Sequence, residues 1–272
     1  MDSFLLFFEQ MPSWQKLIWI TACLSFSWVL EGSFPLFKFN YKKWKHAGVN
    51  LIFLACSLTI NLLFGLATVG IFNFISGNEI GVLHLIEIPI WIELLIAILF
   101  MDFVGQYSVH YLLHRIKWMW KFHMIHHSDT KVDATTGTRH HPGDYVMREI
   151  FALLAVVIIG APFAFYVVYR IASVFFTYFS HANINMPKGI DKALSFVFVT
   201  PNMHKFHHHF ERPWTDTNFG NMFSFWDRIF GTFVYDNPKK IVYGLDVLDE
   251  KLDEDVGYQF KVPFDKNIKT DY

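Results

Sequence analysis

Residues 82–116 read VLHLIEIPIWIELLIAILFMDFVGQYSVHYLLHRI. The run exceeds the roughly 20 apolar residues that a helix needs to cross the hydrocarbon core of a bilayer. It ends on His110-Tyr111-Leu112-Leu113-His114, and the i, i+4 spacing sets both imidazoles on one face of a helix. A membrane helix that delivers paired histidines to its own end predicts a helical membrane protein with a polar site at one mouth.

Three further stretches extend this reading. Residues 17–37 and 49–75 are each long enough for a span, the second interrupted by Asn61. Residues 145–178 are too long for one span and carry Gly160-Ala161-Pro162, a helix-breaking group, so they read as two short helices in a hairpin. The flank before the first span contains Asp2 and Glu9 and lacks the positive start of a secretory signal, which predicts a retained anchor. The expected fold class is all-α: an integral membrane helical bundle of about four spanning units, the last a broken hairpin, with a cytoplasmic helical His-rich cap. Residues 1–100 form the N-terminal transmembrane helices in this scheme, 101–235 the catalytic region and 236–272 an acidic cytoplasmic tail.

Positive charge orients the bundle. Lys38, Lys42, Lys43 and Lys45 follow the first span; Arg115, Lys117, Lys121, Lys131 and Arg139 follow the third; the opposite loop, 76–81, has Glu79 and no Lys or Arg. Both basic flanks are expected on the cytoplasmic side, together with everything after His181, in a bacterial inner membrane or the endoplasmic reticulum. The segment with Asp246, Asp249, Glu250, Asp253, Glu254 and Asp255 reads as a solvated surface.

Composition narrows the function. Of 272 residues 53% are apolar and only 17% charged, against about 25% charged in soluble domains, and the mean hydropathy is +0.28. The net charge of −1 offers no field for nucleic acid. Fourteen His stand beside 2 Cys, and Cys23 and Cys56 lie in apolar runs, so any metal site is made of imidazole and no disulfide framework is expected.

Twelve of the histidines fall between positions 110 and 209. His110 and His114 are followed by His123-Met124-Ile125-His126-His127, and His204-Lys205-Phe206-His207-His208 repeats that pattern. His140, His141 and His181 lie between, and His209 adjoins the last group. Crowded imidazoles repel when protonated, and a metal relieves this by binding the neutral form. Eight donors exceed one tetrahedral ion and suit two ions with open positions. Imidazole accepts Zn, Cu, Fe or Ni, so ligand type leaves the metal open. Tyr111 after His110 departs from the HExxH pattern of zinc proteases. The clusters sit at span ends, not at mid-membrane where a transporter binds its cargo. A zinc or copper membrane hydrolase and a metal transporter remain as alternatives to an oxidase.

These motifs on this framework resemble the fatty acid hydroxylase superfamily, the sterol desaturase-like membrane di-iron oxygenases. Val199-Thr200-Pro201-Asn202-Met203, Asn218-Phe219-Gly220 and Trp226-Asp227-Arg228-Ile229-Phe230-Gly231-Thr232 add to the likeness, which covers about residues 90–235. The resemblance implies a membrane-bound non-haem di-iron oxidase that uses O2 and external electrons to hydroxylate or desaturate a C–H bond of a lipid: a sterol, a fatty acyl chain or a related molecule. It implies His110, His114, His123, His126, His127, His204, His207 and His208 as iron ligands. It adds His181, and also His141, whose His141-Pro142-Gly143-Asp144 resembles an element of the sterol enzymes. His140 and His209 count as neighbours, and His46 and His84 as ordinary. Thr177, four residues before His181, departs from the HxxxH of the fatty acid 2-hydroxylase branch and argues against that branch.

The sequence carries no dinucleotide fingerprint, flavin motif or Cys-rich iron–sulfur motif. Electrons are therefore expected from a separate donor, a ferredoxin or cytochrome b5 with its reductase. Lys117, Lys121 and Lys131 serve either as contacts for an acidic donor or as positive-inside anchors. Asp102, about two turns before His110, is a candidate acceptor for a ligand imidazole. Glu31, Glu87 and Glu93 are expected to line a cavity, cap polar neighbours or lie at an interface.

Overall fold

The computed structural model describes residues 1–211 and 214–269. Among these residues the protein is helical, with only two isolated β-bridges, Pro35–Ile184 and Phe198–Phe223. Its first elements are α1 (Asp2–Glu9), α2 (Ser13–Ser33), α3 (Lys43–Asn78) and α4 (Ile90–Asp102). A π-helical segment, Phe103–Ser108, joins α4 to α5 (Val109–Arg115), and α6 (Lys117–His127) follows after a sharp bend at Ile116. Helices α7 (Pro142–Ile159) and α8 (Phe163–His181) form the hairpin. Short helices α9 (Lys188–Leu194), α10 (Pro201–His207), α11 (Phe225–Ile229) and α12 (Val256–Lys261) complete the chain.

Three helical stretches among the described residues are long and apolar enough to cross a membrane: Lys43–Leu85, Ile90–Arg115 and Phe163–His181. Helix α2 falls short of that mark because Gln15, Lys16, Ser25, Ser27 and Glu31 dilute it. It packs along α8, the Trp19 indole donating to the Ile171 carbonyl at 2.8 Å. The third span begins later than its hydropathy suggests. Val82–Leu85 is a single 3₁₀ turn, and Pro89, which lacks an N–H, stands at the N-cap of α4. Glu87 is thus outside the helix and exposed, while Glu93 sits in its first turn.

The hairpin is as expected, and backbone space explains why. Gly160 ends α7 at φ 74°, and a Cβ on Gly81 would lie 2.3 Å from the Gly160 Cα. Two glycines in left-handed conformations therefore let the turn between α7 and α8 touch the turn after α3. Below that contact Leu94, Ala97, Met101, Val156, Phe165 and Tyr169 form the main apolar core between α4, α7 and α8.

Helix α3 has 36 residues, about 54 Å at 1.5 Å per residue, longer than a bilayer core of about 30 Å. Its first turns extend into the His-rich layer. There His46, expected to be ordinary, is fully buried: Nε2 is 2.9 Å from Asp129 Oδ1 and Nδ1 is 3.2 Å from Asp133 Oδ2. Asn50 donates to Thr135 at 2.9 Å and accepts from Arg139 at 3.1 Å. Arg139, also fully buried, donates to the carbonyls of Ile125 and Asp253 and to Ser128. Glu31 is a cap: its carboxylate accepts the N–H groups of Ala134 and Asn183 at 2.9 and 3.0 Å and pairs with Lys43 at 3.0 Å.

The acidic C-terminal stretch is not a free solvated segment. Phe260 stacks on Phe53 at 5.2 Å, Gln259 is buried against Ser128, and Val262 joins the core of Trp120, Met124 and Ile125. Two of its acids pair with bases, Glu254 with Lys45 and Asp253 with Lys131, and Lys121 donates to the Asp265 carbonyl, while Asp246, Asp249, Glu250 and Asp255 are exposed as expected of a solvated surface. Apolar residues spaced among the acids supply the adhesion that charge counting overlooks. The last three positions of the expected tail, 270–272, lie outside the described residues.

Candidate metal centre

Each histidine reaches the site from an ordered element. His110 and His114 share a face of α5, and the π-helical segment before it widens the turn that leads into that face. His123, His126 and His127 line the C-terminal half of α6. His181 is the last residue of α8, and α10 carries His204 and His207 with His208 as its C-cap. Thr200 caps α10 by accepting the Met203 N–H, and Pro201 occupies its first turn. The threonine and proline that precede the last cluster thus fix the start of its helix.

The structure sorts nine of these histidines into two buried groups. His110, His114, His123, His127 and His207 form one; His126, His181, His204 and His208 form the other; within each, one nitrogen per ring lies within 4.8 Å of the others. The groups adjoin, with the rings of His127 and His208 4.7 Å apart. His141 belongs to neither. Its Nδ1 accepts the Gly143 N–H at 3.0 Å as the N-cap of α7, and its ring packs against Phe122, Phe260 and Phe264. The cap position before Pro142 turns the buried ring away from both groups, and His140 faces them in its place. His140 stacks on His126 at 4.5 Å and reaches Asp144 at 2.8 Å. His209 bonds to the backbone of Val242 and stays apart.

The hydrogen bonds of Nδ1 decide which nitrogen is free. Carbonyl oxygens only accept, so an Nδ1 facing one must carry the ring proton. His110 Nδ1 donates to the Phe219 carbonyl at 2.8 Å, His207 Nδ1 to Thr217 at 2.8 Å and His181 Nδ1 to Thr177 at 2.7 Å. His123 Nδ1 donates to Asp144 at 3.1 Å and His114 Nδ1 to Asp216 at 3.0 Å. Five rings are thereby held in the tautomer that presents Nε2 as a lone pair, the arrangement that metal-bound imidazoles adopt.

The Nε2 atoms of both groups converge, and between His110 and His123, both pinned at Nδ1, lone pair faces lone pair. His123 Nε2 is 3.1 Å from His110 Nε2 and 3.2 Å from His127 Nε2; His181 Nε2 is 3.0 Å from both His126 and His204 Nε2. Nε2 of His114 and His207, and both nitrogens of His208, are buried with no hydrogen-bond partner. Protonation is a poor remedy: burial pulls His123 down to about 3 and holds His126, His127, His204, His207 and His208 well below the usual imidazole range. A cation shared by the facing lone pairs resolves the conflict. Separations near 3 Å are those of adjacent nitrogens on an ion held at about 2.1 Å. The donor set therefore fits two transition-metal ions.

A second layer holds the carbonyls and carboxylates that orient these rings. Asp227, fully buried, accepts the N–H groups of Phe219 and Gly220 at 2.7 and 3.0 Å and the Thr232 hydroxyl at 2.7 Å. It thereby fixes the Phe219 carbonyl on which His110 leans. Asn218 bridges the Met203 carbonyl and the backbone of Val234. Asp102 does not reach a ligand imidazole; its carboxylate accepts from Trp226 Nε1 at 3.1 Å and the Phe223 N–H at 3.4 Å. Asp144 and Asp216 went unnoticed in the sequence as partners of His123 and His114. For Asp144 a signal existed, since it lies four residues after His140 and four before Arg148.

A cavity of about 160 Å³ lies against the histidines, lined by His110, His126, His181 and His204 together with Gln106 and Asn221. An apolar cleft of about 530 Å³ runs between α2, α3 and α8, past Leu17, Leu62 and Val167. Cavity and cleft share Ile20, Leu58, Asn61, Glu149, Arg170 and Val174 in their linings and so lie on two sides of these residues.

Comparison with known proteins agrees with this geometry. The chain is 27% identical over 145 residues to the ornithine lipid hydroxylase OlsE of Rhizobium tropici, covering 53% of this chain and 43% of that protein. It is 32% identical over 150 residues to alkylglycerol monooxygenase of Homo sapiens, covering 55% of this chain and 32% of that protein. A cholesterol 25-hydroxylase-like protein of Danio rerio is 27% identical over 141 residues, half of each chain. The chain thus spans half or less of these relatives' lengths. No solved structure matches. Residues 94–232, which contain all nine clustered histidines, match the fatty acid hydroxylase family, and the chain belongs to it.

Proposed function

We propose that this protein is a membrane lipid oxygenase, a non-haem di-iron oxidase that uses O2 and electrons from a separate donor to hydroxylate or desaturate a lipid C–H bond. The observation that carries the reading is the pair of adjoining imidazole groups beside a cavity that neighbours an apolar cleft. The names of the relatives, an ornithine lipid hydroxylase and an alkylglycerol monooxygenase, point the same way. His110, His114, His123, His127 and His207 hold one iron in this reading and His126, His181, His204 and His208 the other. Bound iron supplies the O2 activation and one-electron steps that C–H cleavage requires.

The protein's own part is position and exclusion. The carbonyls of Phe219, Thr217 and Thr177 and the carboxylates of Asp144 and Asp216 keep Nε2 aimed inward, so the rings need not reorganise when an ion binds. The cleft accepts hydrocarbon from the bilayer and presents one end of it to the cavity, and the carbon nearest the metal pair is the one oxidised. Lys121 and Lys131 are engaged within the protein, which favours their anchoring role over donor contact. The donor, a ferredoxin or cytochrome b5 with its reductase, docks on the face that the positive-inside rule sets in the cytoplasm.

The test is His207→Ala, assayed for bound iron and for 18O from labelled O2 in lipid products. Loss of both is expected. Retention of full iron and turnover would remove His207 from the site, and stoichiometric zinc or copper in anaerobically purified wild-type protein would favour the hydrolase or transporter reading.

A further inference from the structure

A pocket of about 360 Å³ lies apart from the histidines, between α9, the turn at Ser195 and Phe196, and the segment after α11. Four charged side chains line it, Lys188, Lys192, Arg228 and Asp236: three bases against one acid. Asp236 already has Lys240 at 3.0 Å, with Lys188 farther off. The neighbouring acids are spent elsewhere. Asp191 is buried and accepts the Tyr235 hydroxyl, and Asp227 is buried under the backbone of Phe219 and Gly220. Neither Lys188 nor Lys192 has an ion-pair partner among the described residues. The pocket therefore carries a surplus of positive charge.

Arg228 is held ready for an oxyanion. Its guanidinium lies 3.6 Å from the centre of the Phe233 ring and 4.8 Å from that of Phe196, and one N–H donates to the Ser195 carbonyl at 3.1 Å. Two rings and a carbonyl thus fix a planar group with five N–H donors, most of which remain for a ligand. Such a fork matches the oxygens of a phosphate two at a time.

The surface around the pocket is apolar and open. Ile190, Phe196 and Ile229 are 57%, 58% and 64% exposed, and Leu194, Val197 and Phe230 are exposed beside them. A contiguous exposed apolar patch marks a contact surface. This one stands level with the spans. Phe198, next to Val197, stacks on Phe176 at 5.2 Å, and Phe176 is about 7.5 Å from the His181 end of α8 at 1.5 Å per residue. Phe230 stacks at 5.5 Å on Phe103, the residue that follows α4. Apolar side chains at that level meet acyl chains, and the long bases among them reach the head groups.

The two properties together select the ligand. An acidic protein matches the charge but not an apolar rim set beside the spans. A zwitterionic lipid brings its own cation against Lys188 and Lys192. An anionic phospholipid satisfies both: its phosphate takes the bases, its net charge offsets their surplus and its acyl chains cover the rim.

We propose that Lys188, Lys192 and Arg228 form a binding site for the phosphate of an anionic phospholipid, in the leaflet at the end of the spans that carries the histidines. The site is separate from the cavity beside the metal centre and does not depend on the oxygenase reading.

The test uses the full chain in detergent, exchanged with equimolar dioleoyl phosphatidylglycerol and dioleoyl phosphatidylcholine, with retained lipid counted by native mass spectrometry. Phosphatidylglycerol should be favoured at least about fivefold, the weight of one base at an anionic surface. Lys188→Gln, Lys192→Gln and Arg228→Gln together should bring the ratio below about twofold. Removal of the same charge at exposed sites elsewhere, by Lys38→Gln, Lys42→Gln and Lys117→Gln together, should leave it near the wild-type value. Arg228→Lys keeps the charge but loses the stacked fork and should at least halve the ratio; the exposed Lys188→Gln alone should lower it by a similar factor, a reading that survives if the triple variant does not fold. Inorganic phosphate at about 10 mM should not displace the lipid, because it cannot cover the rim. Equal retention of the two lipids, the same fall in both triple variants, or an unchanged ratio in Arg228→Lys and Lys188→Gln overturns the proposal. Displacement by inorganic phosphate overturns it in favour of a free-phosphate site. An acidic ferredoxin that binds the wild type but not the pocket triple variant, with lipid retention even, overturns it in favour of a protein partner.

Discussion

Asp144→Asn is the sharpest probe of how the metal centre is held. Asp144 is fully buried, and one of its oxygens accepts from both His123 Nδ1 at 3.1 Å and His140 Nδ1 at 2.8 Å while the other accepts from Arg148 Nε at 3.0 Å. Asparagine keeps the shape but replaces one acceptor with a donor. Arg148 loses its counter-charge in either orientation; if the amide nitrogen takes the histidine side, two ring N–H groups face a donor, and if it takes the other side, Arg148 Nε does. Hydrogen bonds to charged groups are worth about 1.5–3 kcal/mol, and stripping a buried ion of its partner costs about 3–5 kcal/mol. Partners in this second layer usually change metal affinity 10- to 100-fold, or about 1.4–2.7 kcal/mol. The variant should therefore bind iron at least tenfold more weakly in chelator competition and melt at a lower temperature. Iron affinity within twofold of wild type, in protein that melts normally, would refute the claim that Asp144 orients His123.

Other substitutions separate capping from ligation. His141→Ala should lower stability by about 0.5–2 kcal/mol through loss of the α7 cap and leave bound iron unchanged by elemental analysis; halved iron would return His141 to the site. Asp227→Ala frees two buried N–H groups and the carbonyl beneath His110, so more than half of the bound iron should be lost while the far-ultraviolet spectrum stays helical. Acid should destabilise the metal-free protein. Unfolded imidazoles take a proton near pH 6.5, whereas the folded state refuses one until far lower, to about 3 for His123. The stability is thus fully present above about pH 6.5 and is lost as pH falls, by up to about 2 kcal/mol per such histidine at pH 5. A melting temperature that holds constant from pH 7.5 to 5 would contradict this.

Much of the site was legible because helical periodicity is a local property. The i, i+3, i+4 spacing of His123, His126 and His127 and of His204, His207 and His208 fixes a shared face whatever the tertiary fold. What periodicity cannot supply is the direction of a residue at a helix start. His140 and His141 are neighbours in sequence, and only the cap geometry before Pro142 decides that His141 faces Phe122 while His140 faces His126. Buried ion networks were equally hidden. His46 stands in a lysine-rich loop by sequence, yet it is sealed between Asp129 and Asp133, which lie more than 80 positions away. Hydropathy found the hairpin through Gly160 and Pro162 but ran the third span across Pro89, where the helix begins. Charge counting likewise took Asp253 and Glu254 for solvated acids, although Arg139, Lys131 and Lys45 meet that segment.

The account stands or falls on metal content. Anaerobically purified wild-type protein, measured by elemental analysis with X-ray absorption at the iron edge, should hold two irons per chain in an all-nitrogen and oxygen shell dominated by imidazole. Fewer than one metal per chain, one zinc or copper in place of iron, or two irons that remain after His207→Ala and His204→Ala together would contradict it.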